Sequence, residues 1–268
     1  MSIYLDEKNP GKHKPFEDAS PDVVAYVRYL EGIAGKSANT AFSYYCDLRG
    51  FSRFMKRRRG LVPADCELKD IDPKGLDAAF WASVTKEDIY EYLYFLGSEC
   101  GNKKSSTARR LASLHGFYDY LVNQVNRLNS DPTAAIKPPK QDKVLPKYLT
   151  AEQSMDLLES TQTQSDFPER DYCMVVLFLN CGMRLAELVG MDLEDIDLEN
   201  RQIRLFGKGH KERMVYLNDA CMEALQLYLN KRNTMEGLLP KERAVFITRR
   251  RKERISNRRV EQLVTGAM

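Results

Sequence analysis

Residues 180–188 read Asn180-Cys-Gly-Met-Arg184-Leu-Ala-Glu187-Leu, with one glycine between two apolar helical segments. The glycine predicts the end of the first helix, and Arg184 stands just beyond it, where the second helix begins. Glu187 follows three residues later, so the two charged side chains are expected on one helical face. An ordinary ion pair within a helix explains this pattern as well as a functional arginine does.

A second polar motif, Gly207-Lys208-Gly-His-Lys211-Glu-Arg213, separates two short apolar segments at 202–206 and 213–217. Two such segments around a Gly-X-Gly turn predict a β-hairpin. The glycines would let the backbone and Lys208 approach a ligand closely, although a basic hairpin tip with no ligand is the plainer interpretation. The motif is not a phosphate-binding P-loop, which requires GxxxxGK[ST] before a helix.

Outward from these motifs, the chain divides at a segment rich in proline. Residues 126–149 contain four prolines and several basic residues with little periodicity, which predicts an extended basic linker between domains. Thr150-Ala-Glu-Gln153 then predicts a capping box that opens a second domain at 150–268. In that domain we expect helices at 150–161, 168–181, 183–191 and from Asn218, the hairpin, a strand at Ala244–Thr248 and a last helix from Ser256.

The segment before the linker is helical in pattern. Ser20-Pro21 predicts a helix start, and Thr85-Lys-Glu-Asp88 predicts a capping box. Four helices within residues 20–125 indicate a compact α-bundle, preceded by a flexible polar arm at 1–19.

The composition limits the class of protein. The net charge is only +3, yet Lys241 to Arg259 holds nine basic residues against two acidic ones. This segregation of charge suggests a surface facing a polyanion, and a solvated helix face explains the same count equally well. No long apolar run predicts a membrane span or a secretion signal, so we expect no membrane partner and a cytoplasmic location. The six cysteines are far apart without a CxxC motif, which argues against a structural metal site.

Together these features resemble the tyrosine recombinases, also called phage integrases, and most closely their Xer-like and transposon-integrase members. The resemblance lies in the helical N-terminal segment, the linker ending at Thr150, the Arg184 box and the Lys208 motif 24 residues later. It implies a mainly α fold of α+β class. A SAM-like four-helix core-binding domain would precede a mixed helical catalytic domain with a small β-hairpin sheet.

The resemblance also implies roles for three residues. Arg184 would bind the non-bridging oxygens of the scissile phosphate, which suits a guanidinium because it is always charged and donates in a bidentate fork. Glu187 would orient or buffer that arginine. Lys208 would be the general acid for the departing 5′-hydroxyl. Fixed cations would stabilise the transition state, so neither a metal nor another cofactor is expected.

The chain departs from the family's pattern after the hairpin. The family's remaining site comprises a His-x-x-Arg box, a second His or Trp and a tyrosine nucleophile downstream, whereas no tyrosine follows Tyr228 here. The match of His210-Lys-Glu-Arg213 to His-x-x-Arg is rejected because it occupies the hairpin. We therefore expect a C-terminally truncated recombinase whose catalytic domain is incomplete and which is inactive alone. A naturally short, inactive DNA-binding regulator is the alternative, and an all-protein interaction module ranks third.

The expected partner is double-stranded DNA, held between the two domains, with a synaptic tetramer forming on DNA in the full-length protein. The expected phosphate contacts are basic residues near the linker and in the second domain. They are Lys103, Lys104, Arg109, Arg110, Lys137, Lys140, Lys143, Lys147, Lys211, Arg213, Arg249, Arg250, Arg251, Arg254, Arg258 and Arg259.

Overall fold

The computed structural model describes residues 18–63, 65–140, 148–207 and 211–266. The chain forms two compact units, one up to Val144 and one from Leu145 onward. Within the described residues no helix has both the length and the apolar character needed to cross a membrane.

The first unit is built from helices that begin where capping residues stand. They are α1 (Pro21–Gly32), α2 (Ala38–Arg58), α3 (Ala78–Ala82), α4 (Lys86–Ser98) and α5 (Lys104–Asp119), the last continued by a π-turn at Tyr120–Gln124. The capping box predicted at Thr85 is confirmed: its hydroxyl accepts from the Asp88 N–H at 3.2 Å and its own N–H donates to Asp88 at 3.0 Å. The short α3 was not predicted from the sequence.

The core of the first unit extends into the segment predicted to be linker. Leu128 and Ile136 are buried in the same apolar cluster as Trp81 and Phe117. His115 on α5 forms a 3.1 Å hydrogen bond with the Ile136 carbonyl, which holds this stretch against the helix. The expectation of a free linker from Asn126 is therefore wrong for residues 128–136, because two apolar side chains outweigh the nearby prolines. The sequence at 141–147 lies outside the described residues.

The second unit begins with three helices. They are α6 (Ala151–Thr163), α7 (Pro168–Cys181) and the short α8 (Leu185–Gly190). The predicted capping box at Thr150 is confirmed by reciprocal hydrogen bonds with Gln153 of 2.9 and 3.2 Å. The apolar side of α7 packs against α6 and α9 (Asp219–Asn233), with Cys173 and Leu177 fully buried.

A small antiparallel sheet follows α8. Its strands are β1 (Ile196–Asp197), β2 (Gln202–Phe206) and β3 (Glu212–Tyr216), in that spatial order. The predicted hairpin is confirmed, and its register pairs Leu205 with Arg213. Because strand side chains alternate, Arg213 and Val215 share the inward face with Ile203 and Leu205. The structure thus confirms the predicted fold class, mainly helical with one small sheet.

The strand expected at Ala244–Thr248 does not form, although Ala244 to Ile247 are fully buried. Only isolated bridges form here, at Ala244 and at Ile247. The Val245 N–H donates to the Met191 carbonyl at 3.0 Å, and the Phe246 carbonyl accepts from the Ile255 N–H at 2.9 Å. Side chains bond to other backbone groups of the segment. Arg232 on α9 donates to the carbonyls of Ala244 and Val245, and Tyr228 donates to Val245 at 2.9 Å. Arg170 donates to the Ile247 carbonyl at 3.1 Å. A buried backbone needs partners but not a particular kind of partner. The last helix, α10 (Asn257–Gly266), begins just after Ser256, as predicted.

Replacing Ile136 with alanine should destabilise the first unit, because the side chain is buried in that unit's core. The expected loss is about 2–4 kcal/mol of unfolding free energy. Trp81, the single tryptophan, is buried in the same cluster, so its fluorescence during urea unfolding reports on this unit. The exposed neighbour Lys137 is the matched control, and Lys137→Ala should change stability by less than about 0.5 kcal/mol. Equal effects of the two substitutions would contradict the packing of this segment.

Candidate active site

The junction between α7 and α8 places the first motif. Gly182 ends α7 with φ 55° and ψ 38°, a left-handed conformation that glycine adopts without the steric cost of a Cβ. Arg184 then adopts an extended conformation as the N-cap of α8. The chain turns sharply within three residues, so the Arg184 side chain starts at a helix end rather than inside a helix.

Glu187 holds Arg184 through both the backbone and the side chain. The Arg184 N–H donates to Glu187 Oε2 and its Nη1 donates to Oε1, each at 2.8 Å. The two side chains differ sharply in exposure: Arg184 is 75% exposed, whereas Glu187 is 2% exposed. The predicted proximity of the two side chains is therefore found. The buried Glu187 carboxylate holds the Arg184 guanidinium, most of which is exposed to solvent.

A third residue, Arg213, completes the cluster, although the sequence predicts it only as a DNA contact. Arg213 on β3 donates from Nη2 to Glu187 Oε2 at 2.8 Å and to the Gly182 carbonyl at 3.1 Å. The alternation of side chains along β3 could have predicted this position, because residue 213 lies on the same face of the strand as the buried Val215. An inward-facing arginine beside a predicted acidic site residue indicates a partner in the site.

These contacts fix the charge state of Glu187. The Arg213 hydrogen bond is the largest cause, followed by those from the backbone and side chain of Arg184, and together they lower the pKa of Glu187 to about 2 although burial opposes the shift. The carboxyl group is therefore ionised at neutral pH. An ionised, fully bonded carboxylate orients its arginines and is unsuited to donating a proton at that pH.

The base of the hairpin lies against the same carboxylate. The Gly207 N–H donates to the Lys211 carbonyl at 2.8 Å, which closes the base of the turn. A Cβ added at Gly207 would lie 3.5 Å from Glu187 Oε1, an ordinary contact distance. Lys208, Gly209 and His210 lie outside the described residues, so the catalytic role predicted for Lys208 stays a prediction. Its preceding residue nevertheless lies beside the Arg184–Glu187 pair.

In the first unit, Arg110 does not fit its predicted role. It is 7% exposed, and its Nε lies 3.6 Å from Asp47. A guanidinium buried beside a carboxylate is poorly exposed to a phosphate, so the structure does not favour the DNA contact predicted there. Arg109 pairs with the same Asp47 but keeps 47% of its side chain exposed. The remaining predicted contacts on this unit are exposed: Lys103, Lys104, Lys137 and Lys140. Lys143 and Lys147 lie outside the described residues.

In the second unit, Arg254 serves as an internal cross-link. Its Nη1 donates to the carbonyls of Val189 and Met191 at 2.8 and 3.1 Å, and its Nη2 pairs with Asp192. The guanidinium therefore joins the loop before α10 to the end of α8, and the expectation that it contacts DNA is not supported. The other predicted contacts in this unit are exposed: Lys211, Arg249, Arg250, Arg251, Arg258 and Arg259. Of these, Arg249 and Arg259 both reach Asp166.

Comparison with known proteins agrees with this geometry. Residues 147–268, which contain the whole Arg184–Glu187–Arg213 cluster, match the Phage integrase family. The chain is 39% identical to the tyrosine recombinase XerC of Caldanaerobacter subterraneus subsp. tengcongensis, over 91% of this chain and 67% of that protein. It is 33% identical to XerC of Myxococcus xanthus, over 84% of this chain and 68% of that protein. The chain therefore belongs to the tyrosine recombinase family.

Solved structures show the same fold at lower identity. A lambda integrase tetramer bound to a Holliday junction matches with a TM-score of 0.63 and 17% identity, over 98% of this chain and 71% of that one. The XerH site-specific recombinase bound to its difH substrate matches with a TM-score of 0.60 and 21% identity, over 91% and 66%.

Replacing Glu187 with glutamine should lower stability at neutral pH, and the deficit should shrink as the solution is acidified. A carboxyl group whose folded pKa of about 2 lies below its ordinary value of 4.5 stabilises the fold above the ordinary value. That contribution is lost as the pH falls through the folded pKa. Thermal unfolding followed by calorimetry from pH 7 down to pH 3 measures it. Glu223→Gln, at an exposed position on α9, is the control. A deficit for Glu187→Gln that stays constant with pH would contradict the assignment of a depressed pKa.

Proposed function

We propose that this chain binds duplex DNA and contributes the phosphate-binding part of a site-specific recombinase, in which strands are cut and rejoined through a 3′-phosphotyrosyl intermediate. The observation that carries the proposal is the exposed guanidinium of Arg184, held by a buried, ionised Glu187. Nη1 is committed to Glu187, and the exposed remainder of the side chain is free to meet the non-bridging oxygens of a phosphate. Membership of the tyrosine recombinase family supplies the reaction for which such an arginine is used.

In the proposed reaction a tyrosine hydroxyl loses its proton to a general base or to solvent and attacks the scissile phosphorus, while the bond to the 5′-oxygen breaks. Arg184 neutralises the charge that develops on the non-bridging oxygens, a role suited to a preorganised cation. Lys208 gives its proton to the departing 5′-oxygen, so a free 5′-hydroxyl and a phosphotyrosyl bond are the products. A flexible ammonium group on a turn flanked by glycines has the reach for this step.

We further propose that residues 1–268 alone do not cleave DNA. No tyrosine follows Tyr228 in the sequence, and Tyr228 itself is fully buried with its hydroxyl bonded to Val245 and Ile247. Burial also raises the pKa of the Tyr228 hydroxyl far above its ordinary value, which disfavours the phenolate. Catalytic groups act as a unit, so Arg184 and Lys208 without the nucleophile should give no measurable turnover.

A second candidate function is a catalytically inactive regulator that binds DNA through the same surface, because exposed basic side chains such as Arg250 and Arg251 suit phosphate binding without any strand cleavage. The two candidates differ in what a supplied nucleophile would achieve. In a recombinase, Arg184 and Lys208 would both take part in the chemistry, so adding the family's downstream segment should complete the site. In a regulator they would have no chemical role, and the added segment should yield no reaction.

DNA binding by the chain should weaken steeply with salt, because neutralised phosphates release their counterions. Fluorescence anisotropy with a labelled duplex should show at least about a tenfold loss of affinity between 50 and 200 mM salt. Arg184→Ala should weaken binding and reduce the logarithmic salt slope by about one, as expected for a lost phosphate contact. Arg243→Ala is the control, since that arginine is exposed but pairs with Glu194. An affinity that does not change with salt would contradict the proposed DNA surface.

Incubation with a pool of nicked duplexes with randomised arms should trap no covalent protein–DNA adduct on residues 1–268. A chimera joined at Met268 to a family member's downstream segment, with its His-x-x-Arg box and tyrosine, should form the adduct. Arg184→Ala in the chimera should abolish it, as removal of a transition-state contact predicts. Denaturing gel electrophoresis detects the adduct. An adduct on residues 1–268 would contradict the proposed inactivity and would point to Tyr216, which is 74% exposed. A well-folded chimera that binds DNA without reacting would favour the regulator.

A further inference from the structure

Glu187 is shared between two arginines that come from different elements. Arg184 approaches it from the start of α8, and Arg213 approaches it from β3, each with a 2.8 Å contact to a carboxylate oxygen. The carboxylate has 2% of its side chain exposed, so these arginines and the Arg184 N–H account for its bonding in place of water. The cluster is thus a three-residue unit rather than one ion pair.

The second arginine changes the net charge of this unit. Arg184 and Glu187 alone form a neutral pair, in which the carboxylate would compete with any phosphate for the same guanidinium. Arg213 restores a single positive charge and takes part of the carboxylate's hydrogen-bonding capacity. A buried charge also carries a desolvation cost that one partner rarely offsets. Because Arg213 also donates to the carboxylate, Arg184 is not the only group that compensates the negative charge of Glu187. Part of the Arg184 guanidinium therefore stays available for a phosphate.

Arg213 also links the hairpin to the α7–α8 junction. The same Nη2 that contacts Glu187 donates to the Gly182 carbonyl at 3.1 Å, directly before the turn that presents Arg184. On the opposite strand, Gly207 lies beside Glu187 Oε1. Arg213 on β3 thus bonds to the carboxylate that holds Arg184, and Gly207, just after β2, lies close to the same carboxylate.

We propose that Arg213 is a positioning residue, which holds the Glu187 carboxylate and so fixes Arg184 relative to the hairpin, rather than a direct phosphate contact. The proposal rests on the function proposed above, in which Arg184 binds phosphate. It assigns Arg213 an effect on DNA that passes through Arg184. Arg204 on the neighbouring strand provides a matched comparison, because it pairs at 3.1 Å with the similarly buried Asp195 but lies outside the cluster.

A double-mutant cycle on DNA binding by residues 1–268 tests the route of this effect. Arg213→Met should weaken binding by about fivefold when Arg184 is present and should change it little in an Arg184→Ala background. Arg213→Lys, which keeps the charge but loses the fork of donors, should recover part of the affinity. Arg204→Met should have no effect in either background. An equal loss in both backgrounds would overturn the proposal, because it would make Arg213 a direct contact.

A second test does not depend on DNA binding. The Glu187 carboxyl group is titrated by ¹³C NMR, and its resonance is assigned as the one that disappears in Glu187→Gln. Arg213→Met should raise the pKa of Glu187 from about 2 toward its ordinary value of 4.5. A protein with native circular dichroism and an unchanged Glu187 titration would overturn the role of Arg213. The Arg213→Lys variant should titrate between the two. Absence of DNA binding by the wild-type chain would instead count against the proposed function, and the titration would still decide the role of Arg213.

Discussion

A single buried carboxylate organises the site. Burying a charge is costly unless the charge is paired and fully hydrogen-bonded, so Glu187 constrains everything that touches it. The Arg184 N–H can reach it only because Gly182 turns the chain in a left-handed conformation between α7 and α8. Arg213 can reach it only because the β2–β3 register directs position 213 inward. Helix end, turn and hairpin therefore depend on the same carboxylate.

Other arginines of the second unit also bond to groups within the protein: Arg170 and Arg232 are buried, whereas 37% of the Arg254 side chain is exposed. Arg232 and Arg170 bond to carbonyls within residues 242–247, and these bonds add to the isolated backbone bridges of that buried segment. Arg254 joins the carbonyls at the end of α8 to the loop before α10. An arginine offers several donors in a fixed plane, which suits it to satisfy carbonyl groups that helices and strands leave open. In this protein, basic composition thus serves internal bonding as well as a surface for DNA.

This dual use limits what charge counting can establish. Arg110 and Arg254 lie in basic stretches and were expected at a DNA surface, yet one is buried beside Asp47 and the other bonds to carbonyls. In contrast, Arg250 and Arg251 are exposed at the turn after Thr248. Charge density along the sequence does not distinguish these cases. Whether an arginine bonds within the protein or faces solvent depends on the carbonyl or carboxylate groups that lie near it in the folded structure.

The sequence by itself determined the local features. The helix starts at Thr85 and Thr150, the hairpin around Gly207 and the closeness of Arg184 to Glu187 follow from interactions within a few residues, which capping and periodicity describe completely. Only the tertiary structure decided which distant groups meet. Three contacts show this: Arg213 at Glu187, Ile136 in the first core, and the isolated bridge between Asp192 and Ala244 all join residues far apart in the chain. Such contacts depend on how whole elements pack, and no short stretch of sequence contains that information.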